Sequence, residues 1–348
     1  MKLSLFQRYL AKQKIDTTFF VHPDPSITYF TQMEPSHAYF LVTPTNASFY
    51  LSALDKKPNL KNIEIKELKK GWEKNLSYNK IKKVGINKQA LSVEYLEKAK
   101  KLFPKAKFVD VSLKLNELRK EKTSQEIEKM QKACDITSNA FTALVKELSK
   151  KTLHTEQDVA FFLEKHIKNH GCELAFPTIV AMGKNAAIPH HKTANVKLHK
   201  GFLLFDFGAR YENYCADMTR VVFLGSPTSK EKEFYSLLLT AQTNAIGKVV
   251  EGISYEELTE VARTTLEKFA SKFTHSLGHG IGIEVHEGPL FSDKTQKVEK
   301  NVPFTIEPGI YFPSNFGLRI EDTLIFDGKK VRLLTKATKN LITIPLIL

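Results

Sequence analysis

Two segments of this 348-residue chain each carry a pair of acids placed symmetrically about a turn, and nothing else in it restricts the fold as strongly. Gly201–Gly225 (GFLLFDFGARYENYCADMTRVVFLG) reads as two apolar, aromatic-rich strands with a polar break near Tyr211-Glu212, the pattern of a β-hairpin. Asp206 and Asp217 are equidistant from that break, so they are expected to face each other with Cβ atoms about 5 Å apart. Phe304–Phe326 (FTIEPGIYFPSNFGLRIEDTLIF) repeats the arrangement, with Glu307 and Glu321 equidistant from Ser314 in a turn-like Pro-Ser-Asn segment. Carboxylates held this close repel unless a cation lies between them.

The Gly-rich run His275–Pro289 (HSLGHGIGIEVHEGP) adds an imidazole, His279, between glycines that let backbone and ligand approach closely. Carboxylate oxygens with one imidazole suit Mn, Co, Fe or Zn better than a thiolate set would. A pair of ions about 3.5–4 Å apart can hold a bridging hydroxide as nucleophile and polarise a carbonyl. Any one of these acids alone is ordinarily an edge or turn residue. Five candidate ligands in two matched hairpins and a Gly-His-Gly loop point instead to a metal-dependent hydrolase.

The same segments resemble the pita-bread metallopeptidases, the family of methionine aminopeptidase, Xaa-Pro aminopeptidase and Xaa-Pro dipeptidase (prolidase). The resemblance rests on AFPTIVAMGKNAAIPHH (175–191), LLFDFGARYENYCADMTR (203–220), HSLGHGIGIEVHEGP (275–289) and IEPGIYFPSNFGLRIED (306–322). LRKEKTSQEIEKMQKACDIT (118–137) is similar to the linker and first helix of that domain. The resemblance implies two divalent ions, Mn or Co first and Fe or Zn as alternatives, bridged by Asp217 and Glu321. Asp206 binds one ion, and His279 with Glu307 completes the other. It further implies that His190 contacts substrate near the scissile bond and that His286 stabilises the tetrahedral intermediate. Glu307 would shuttle the proton. His275 matches a pocket histidine, and Arg319 an arginine beside the metal carboxylates; for both, and for His286, the alternative is a structural role. The departures are His191 and Leu277, at positions where the family commonly has other residues, and they bear on specificity.

The chain's length suggests two domains. From 121 to 348, two helical stretches (124–149 and 155–170) precede the Asp hairpin, and two more (231–249 and 254–271) precede the Gly-His-Gly loop and the Glu hairpin. This internal repeat is expected of an α+β pita-bread domain with a pseudo-two-fold axis, its site lying where the halves meet. Gly225-Ser226-Pro227-Thr228 marks the break, with Thr228 or Ser229 as the N-cap that follows. Residues 1–120 alternate strand-like runs (TTFFV at Thr17, AYFLVT at Ala38, SFYLS at Ser48, KVGIN at Lys83) with a helical one from Val93. This smaller α/β part resembles the amino-terminal domain of the creatinase and prolidase branch, although Gln32 stands where that branch usually has Gly.

No apolar run approaches 18 residues, and MKLSLFQRYLAKQKID reads as an amphipathic surface helix rather than a signal peptide, so a cytoplasmic protein without a membrane partner is expected. Cys134, Cys172 and Cys215 lack CxxC spacing and read as reduced core thiols. The net charge of +14 is uneven: from Asp55 to Lys122 there are 20 Lys or Arg and 9 Asp or Glu, a local excess of 20 − 9 = 11. The lysines are dispersed, as in LKKGWEKNLSYNKIKK, without interleaved stacking aromatics, which argues for a solvated face and against nucleic acid.

The expectation is therefore a dinuclear-metal exopeptidase that hydrolyses the bond before proline, chiefly in Xaa-Pro dipeptides. An Xaa-Pro aminopeptidase acting on longer peptides is the alternative, and a non-catalytic pita-bread scaffold the remote one. A dipeptidase must hold the free carboxylate of its proline, through Arg319 or a residue lent by a partner subunit. The resemblance implies a homodimer.

Overall fold

The computed structural model describes residues 2–75 and 80–346. They fall into two compact units, 1–119 and 120–348. Of the lysine-rich run cited above, residues 76–79 lie outside the described residues.

In the first unit the helix Lys2–Gln13 buries Phe6 and Leu10, four residues apart on one face. The TTFFV run is divided: Thr17–Thr18 joins a parallel three-stranded sheet with Lys83–Ile86 and Lys107–Asp110, while Phe20–Val21 enters a four-stranded sheet. All of Thr17 to Val21 is buried, so the apolar pattern gives no sign of the change of sheet. Phe19, Tyr39, Tyr50, Trp72 and Phe103 belong to this unit's core.

The second unit carries the repeat. Helices Ser124–Ser149 and Glu156–Asn169 open its first half, and Ser229–Gly247 and Tyr255–Leu266 its second. Each begins with a capping box, at Thr123/Glu126, Thr155/Asp158, Thr228/Glu231 and Ser254/Glu257, where the N-cap hydroxyl and the N3 carboxylate satisfy backbone amides reciprocally. The N-caps Thr155 and Ser254 also occupy matching places, each in an isolated antiparallel bridge, to Lys197 and Lys297. The first helix pair covers a sheet ordered Ile342–Ile344, Met218–Leu224, Gly201–Phe207, Ile179–Met182. The second covers one ordered Glu287–Leu290, His279–Gly280, Pro303–Ile306, Asp322–Phe326, Val331–Leu333. This is a pita-bread domain with two related halves, as the resemblance implied.

The two acidic hairpins differ in how they meet expectation. In the second, pairing runs Pro303↔Ile325 to Ile306↔Asp322 and resumes at Gly309↔Arg319, so Glu307 and Glu321 fall opposite each other in the same register. In the first, the turn is Glu212-Asn213, both with positive φ (45° and 70°), one residue later than expected. Asp206 therefore pairs with Thr219, and the expected direct facing of Asp206 and Asp217 is not found. A two-residue loop with both central φ positive matches the right-handed strand twist, and Asn adopts it readily. The register moves by two, so Asp206 and Asp217 keep the same face as diagonal neighbours.

Cys134, Cys172 and Cys215 are buried, with no disulfide among the described residues. Among the described residues, no helix is long and apolar enough to cross a membrane.

Candidate active site

A cavity of about 880 Å³ in the second unit is lined by His190, Asp206, Asp217, His275, His279, His286, Glu307, Arg319 and Glu321 together. All nine site residues expected from the sequence thus share one space. The acids reach it from equivalent places: Asp206 lies near the end of Gly201–Phe207 and Glu307 just past Pro303–Ile306. Asp217 and Glu321 each immediately precede the strand that returns.

The Gly-His-Gly loop makes close approach possible. A Cβ at Gly278 would lie 2.0 Å from the Thr305 carbonyl oxygen, and one at Gly280 2.3 Å from the Gly288 backbone. The His279 amide donates to Thr305 Oγ1 at 3.1 Å. Its Nδ1 lies 3.1 Å from the Gly280 carbonyl, which only accepts, so Nδ1 carries the proton and Nε2 presents a lone pair. That Nε2 is 3.6 Å from Asp217 Oδ2 and 3.4 Å from Glu307 Oε1. The neighbouring Glu287, beside His286, is paired with Lys122, both side chains being buried.

The electrostatics of these groups call for positive charge. Burial, and then the neighbouring acids, hold the Asp217 and Glu321 carboxyls well above the usual carboxylate range. Burial pushes Glu307 up to about 8, with Arg319 opposing it. Burial, then His286, lowers His279 to about 3; burial, then Arg319, lowers His275 to about 4. Asp206 Oδ1, Asp217 Oδ1 and Glu321 Oε1 are buried without a hydrogen-bond partner among the described residues. Asp217, His279 and Glu321 offer ligand atoms within 4.8 Å of one another. Unpartnered buried carboxylate oxygens beside an imidazole lone pair are costly to assemble unless a cation satisfies them, so this donor set fits divalent metal.

Arg319 is almost wholly buried and committed to the protein. Nη2 donates to Asp206 Oδ2 at 2.6 Å, Nε to Thr219 Oγ1 at 3.0 Å, and Nη1 to Tyr311 OH at 2.9 Å and Pro189 O at 3.3 Å. Tyr311 OH in turn meets His275 Nε2 at 2.9 Å. His191 does not act as a second copy of His190: its Nε2 lies 3.0 Å from Oε2 of the fully buried Glu156.

Thr219, Tyr311, Glu156 and the buried pair Arg220–Asp322 were not singled out from sequence. Only Thr219 had a readable signal, since a turn at Glu212-Asn213 places it opposite Asp206. The others act through contacts distant in sequence.

Comparison with known proteins identifies both parts of the chain. Residues 128–327 match metallopeptidase family M24, and residues 2–120 match the creatinase/prolidase N-terminal domain. An Xaa-Pro dipeptidase of Pyrococcus horikoshii is 35% identical over 309 residues, 87% of each chain. The crystal structure of the prolidase from Pyrococcus horikoshii superposes with a TM-score of 0.91 at 33% identity, covering 98% of this chain and 99% of that one. That of the X-Pro aminopeptidase from Thermotoga maritima does so at 0.87 and 31%, covering 95% and 98%. The chain belongs to metallopeptidase family M24, its peptidase domain preceded by a creatinase/prolidase N-terminal domain.

Proposed function

We propose that this metallopeptidase hydrolyses the bond before proline in Xaa-Pro dipeptides, with residues 121–348 as catalytic domain and 1–120 as N-terminal domain. The observation that carries the reading is the convergence of three unpartnered buried carboxylate oxygens and His279 Nε2 on one cavity, in a chain whose relatives include Xaa-Pro dipeptidases. Asp217 and Glu321 would be shared between two ions, Asp206 would complete one and His279 with Glu307 the other. Mn or Co is the first choice, with Fe or Zn as alternatives. Bound there, the ions supply Lewis acidity toward the scissile carbonyl and lower the pKa of water.

The chain's own groups do the rest. Glu307 takes a proton from the attacking water at its carboxylate and returns it to the leaving proline nitrogen. His190 and His286, exposed at the cavity wall, direct ring N–H groups toward the carbonyl oxygen as it gains charge. Arg319, with four of its five N–H groups held by the protein, positions Asp206. Proline's ring removes the N–H and restricts its backbone, so seating such a bond needs a dedicated site. A homodimer in the cytoplasm completes the proposal.

The second reading, an Xaa-Pro aminopeptidase, is favoured by the similarity to the Thermotoga maritima structure. Hydrolysis of Ala-Pro beside Ala-Pro-Ala, after chelation and after Mn or Co is restored, separates the two. Metal-dependent cleavage of the dipeptide alone is the expected result. Preference for the tripeptide would establish the second reading, and inactivity on both would overturn each.

A further inference from the structure

A free substrate carboxylate that enters the cavity gives up water, which costs free energy unless a cation or hydrogen-bond donor replaces it. A dipeptide substrate therefore needs such a group at the proline end. Among the described residues that line the cavity, the lysines and arginines are Lys192 and Arg319. Arg319 is buried and gives four of its five N–H groups to protein acceptors, whereas Lys192 gives none. Lys192 is exposed and makes no hydrogen bond or ion pair among the described residues.

An unpaired surface lysine is by itself ordinary, but this one is mounted on an anchored segment. One carboxylate, that of fully buried Glu156, holds both ends of the loop. Its Oε1 accepts from Met182 N at 2.7 Å and Asn185 Nδ2 at 2.8 Å; its Oε2 accepts from Ala194 N at 3.2 Å and meets His191 Nε2 at 3.0 Å. On the other side of Lys192, Thr193 Oγ1 donates to Thr178 O at 2.9 Å and accepts from Val180 N at 2.8 Å. Both neighbours of Lys192 are thus tied down, and its stem leaves the cavity wall from a defined point, two residues beyond His190. A side chain presented in this way loses less freedom on binding than one on a loose loop.

We infer that Lys192 binds the free carboxylate of the substrate's proline and so makes this enzyme select dipeptides over longer or blocked peptides. The inference rests on the Xaa-Pro reading above and names the group that sets its substrate length. Glu156 is the positioning residue for the same loop, acting through His191 and the Ala194 amide.

The test compares kcat and KM for Ala-Pro and Ala-Pro amide in the metal-restored full-length protein and in Lys192→Met and Lys192→Arg. A lost charge-assisted contact predicts that the dipeptide-to-amide ratio of kcat/KM falls about 10–100-fold in Lys192→Met. The change should lie in KM for the dipeptide, and Lys192→Arg should keep most of the ratio. A ratio unchanged in Lys192→Met overturns the inference and leaves the carboxylate to another group, such as one lent by a second subunit, while the Xaa-Pro reading stands. A wild-type enzyme that cleaves the amide as well as the dipeptide also overturns it. Wild-type inactivity on both compounds overturns the Xaa-Pro reading and this inference together.

Discussion

Thr219 and Glu321 hold each other twice: the Thr219 hydroxyl donates to Glu321 Oε2 at 2.7 Å, and the Glu321 amide donates to the Thr219 carbonyl at 3.1 Å. Both residues are buried, and they come from different hairpins, one in each half of the repeat. The contact joins the two halves and satisfies one carboxylate oxygen of Glu321, leaving Oε1 without a partner among the described residues. The same hydroxyl accepts from Arg319 Nε at 3.0 Å, so one threonine orients both an acid and the guanidinium that holds Asp206.

Thr219→Val keeps the shape and removes both hydrogen bonds of the hydroxyl, the one to Glu321 Oε2 and the one from Arg319 Nε. Two buried polar groups then lack partners, which costs about 1–3 kcal/mol of stability and lowers metal affinity about 10-fold or more. Thermal unfolding and a metal titration followed by calorimetry check this. Metal affinity equal to wild type would remove Thr219 from the positioning network.

Metal content separates the acids from the histidines. Asp217→Ala or Glu321→Ala should lose bound metal and all turnover, because each is proposed to be shared by both ions. His286→Ala should retain metal and lose turnover by about 10²–10³-fold, the range for removal of one stabilising donor. Elemental analysis of the purified variants gives the first quantity and peptide hydrolysis the second. Full activity in metal-free Asp217→Ala would sink the mechanism.

The pH dependence of stability follows from Glu307, whose carboxyl is raised from 4.5 to about 8 by burial. Between those values the folded protein binds more protons than the unfolded chain, so stability of the chelated protein falls as pH rises from about 5 to 8. Asp217 and Glu321, raised for the same reason and by mutual repulsion, act in the same direction. Saturating divalent metal should flatten the slope. Urea midpoints at pH 5 and 8, with and without metal, measure it, and a midpoint that rises with pH in the chelated protein would contradict the picture.

Arg220 and Asp322 form a fully buried ion pair, Nη2 to Oδ1 2.6 Å, beside the site. Burial pushes the Asp322 carboxyl up, but Arg220, Lys339 and the Thr335 hydroxyl together hold it below the usual range. Its contribution is therefore present above pH 3.8 and lost as pH falls through its depressed value. Asp322→Ala leaves Arg220 without its carboxylate and should cost about 3–5 kcal/mol in denaturant unfolding at neutral pH. A loss under 1 kcal/mol, about the worth of an exposed pair, would show that water reaches Arg220.

The helices, their caps and the Glu hairpin were legible from residue order because they depend on local chemistry. Thr228 bonds an amide three residues away, and the Glu307–Glu321 register follows from a turn centred on Ser314. The Asp hairpin departs from the local expectation by one turn residue, since Tyr211-Glu212 and Glu212-Asn213 are adjacent polar candidates and the backbone takes positive φ at both Glu212 and Asn213. Thr17 to Val21 looked like one strand because uniform burial erases the alternation that would mark a change of sheet.

The sequence by itself determined the kinds of ligand, their order along the chain and the repeat that brings them together, since spacing about a turn and helix-cap chemistry are properties of neighbouring residues. Only the tertiary structure decided what each charge is free to do. Arg319 carries the charge of a substrate clamp, but Asp206, Thr219, Tyr311 and Pro189 take four of its five N–H groups. Lys192 gained its place from Glu156 and Thr178, residues remote enough in sequence that no local pattern registers them. Hydrogen-bond capacity is finite and is allotted by contacts between distant segments, so which polar group remains available to a ligand is settled only when the chain is packed.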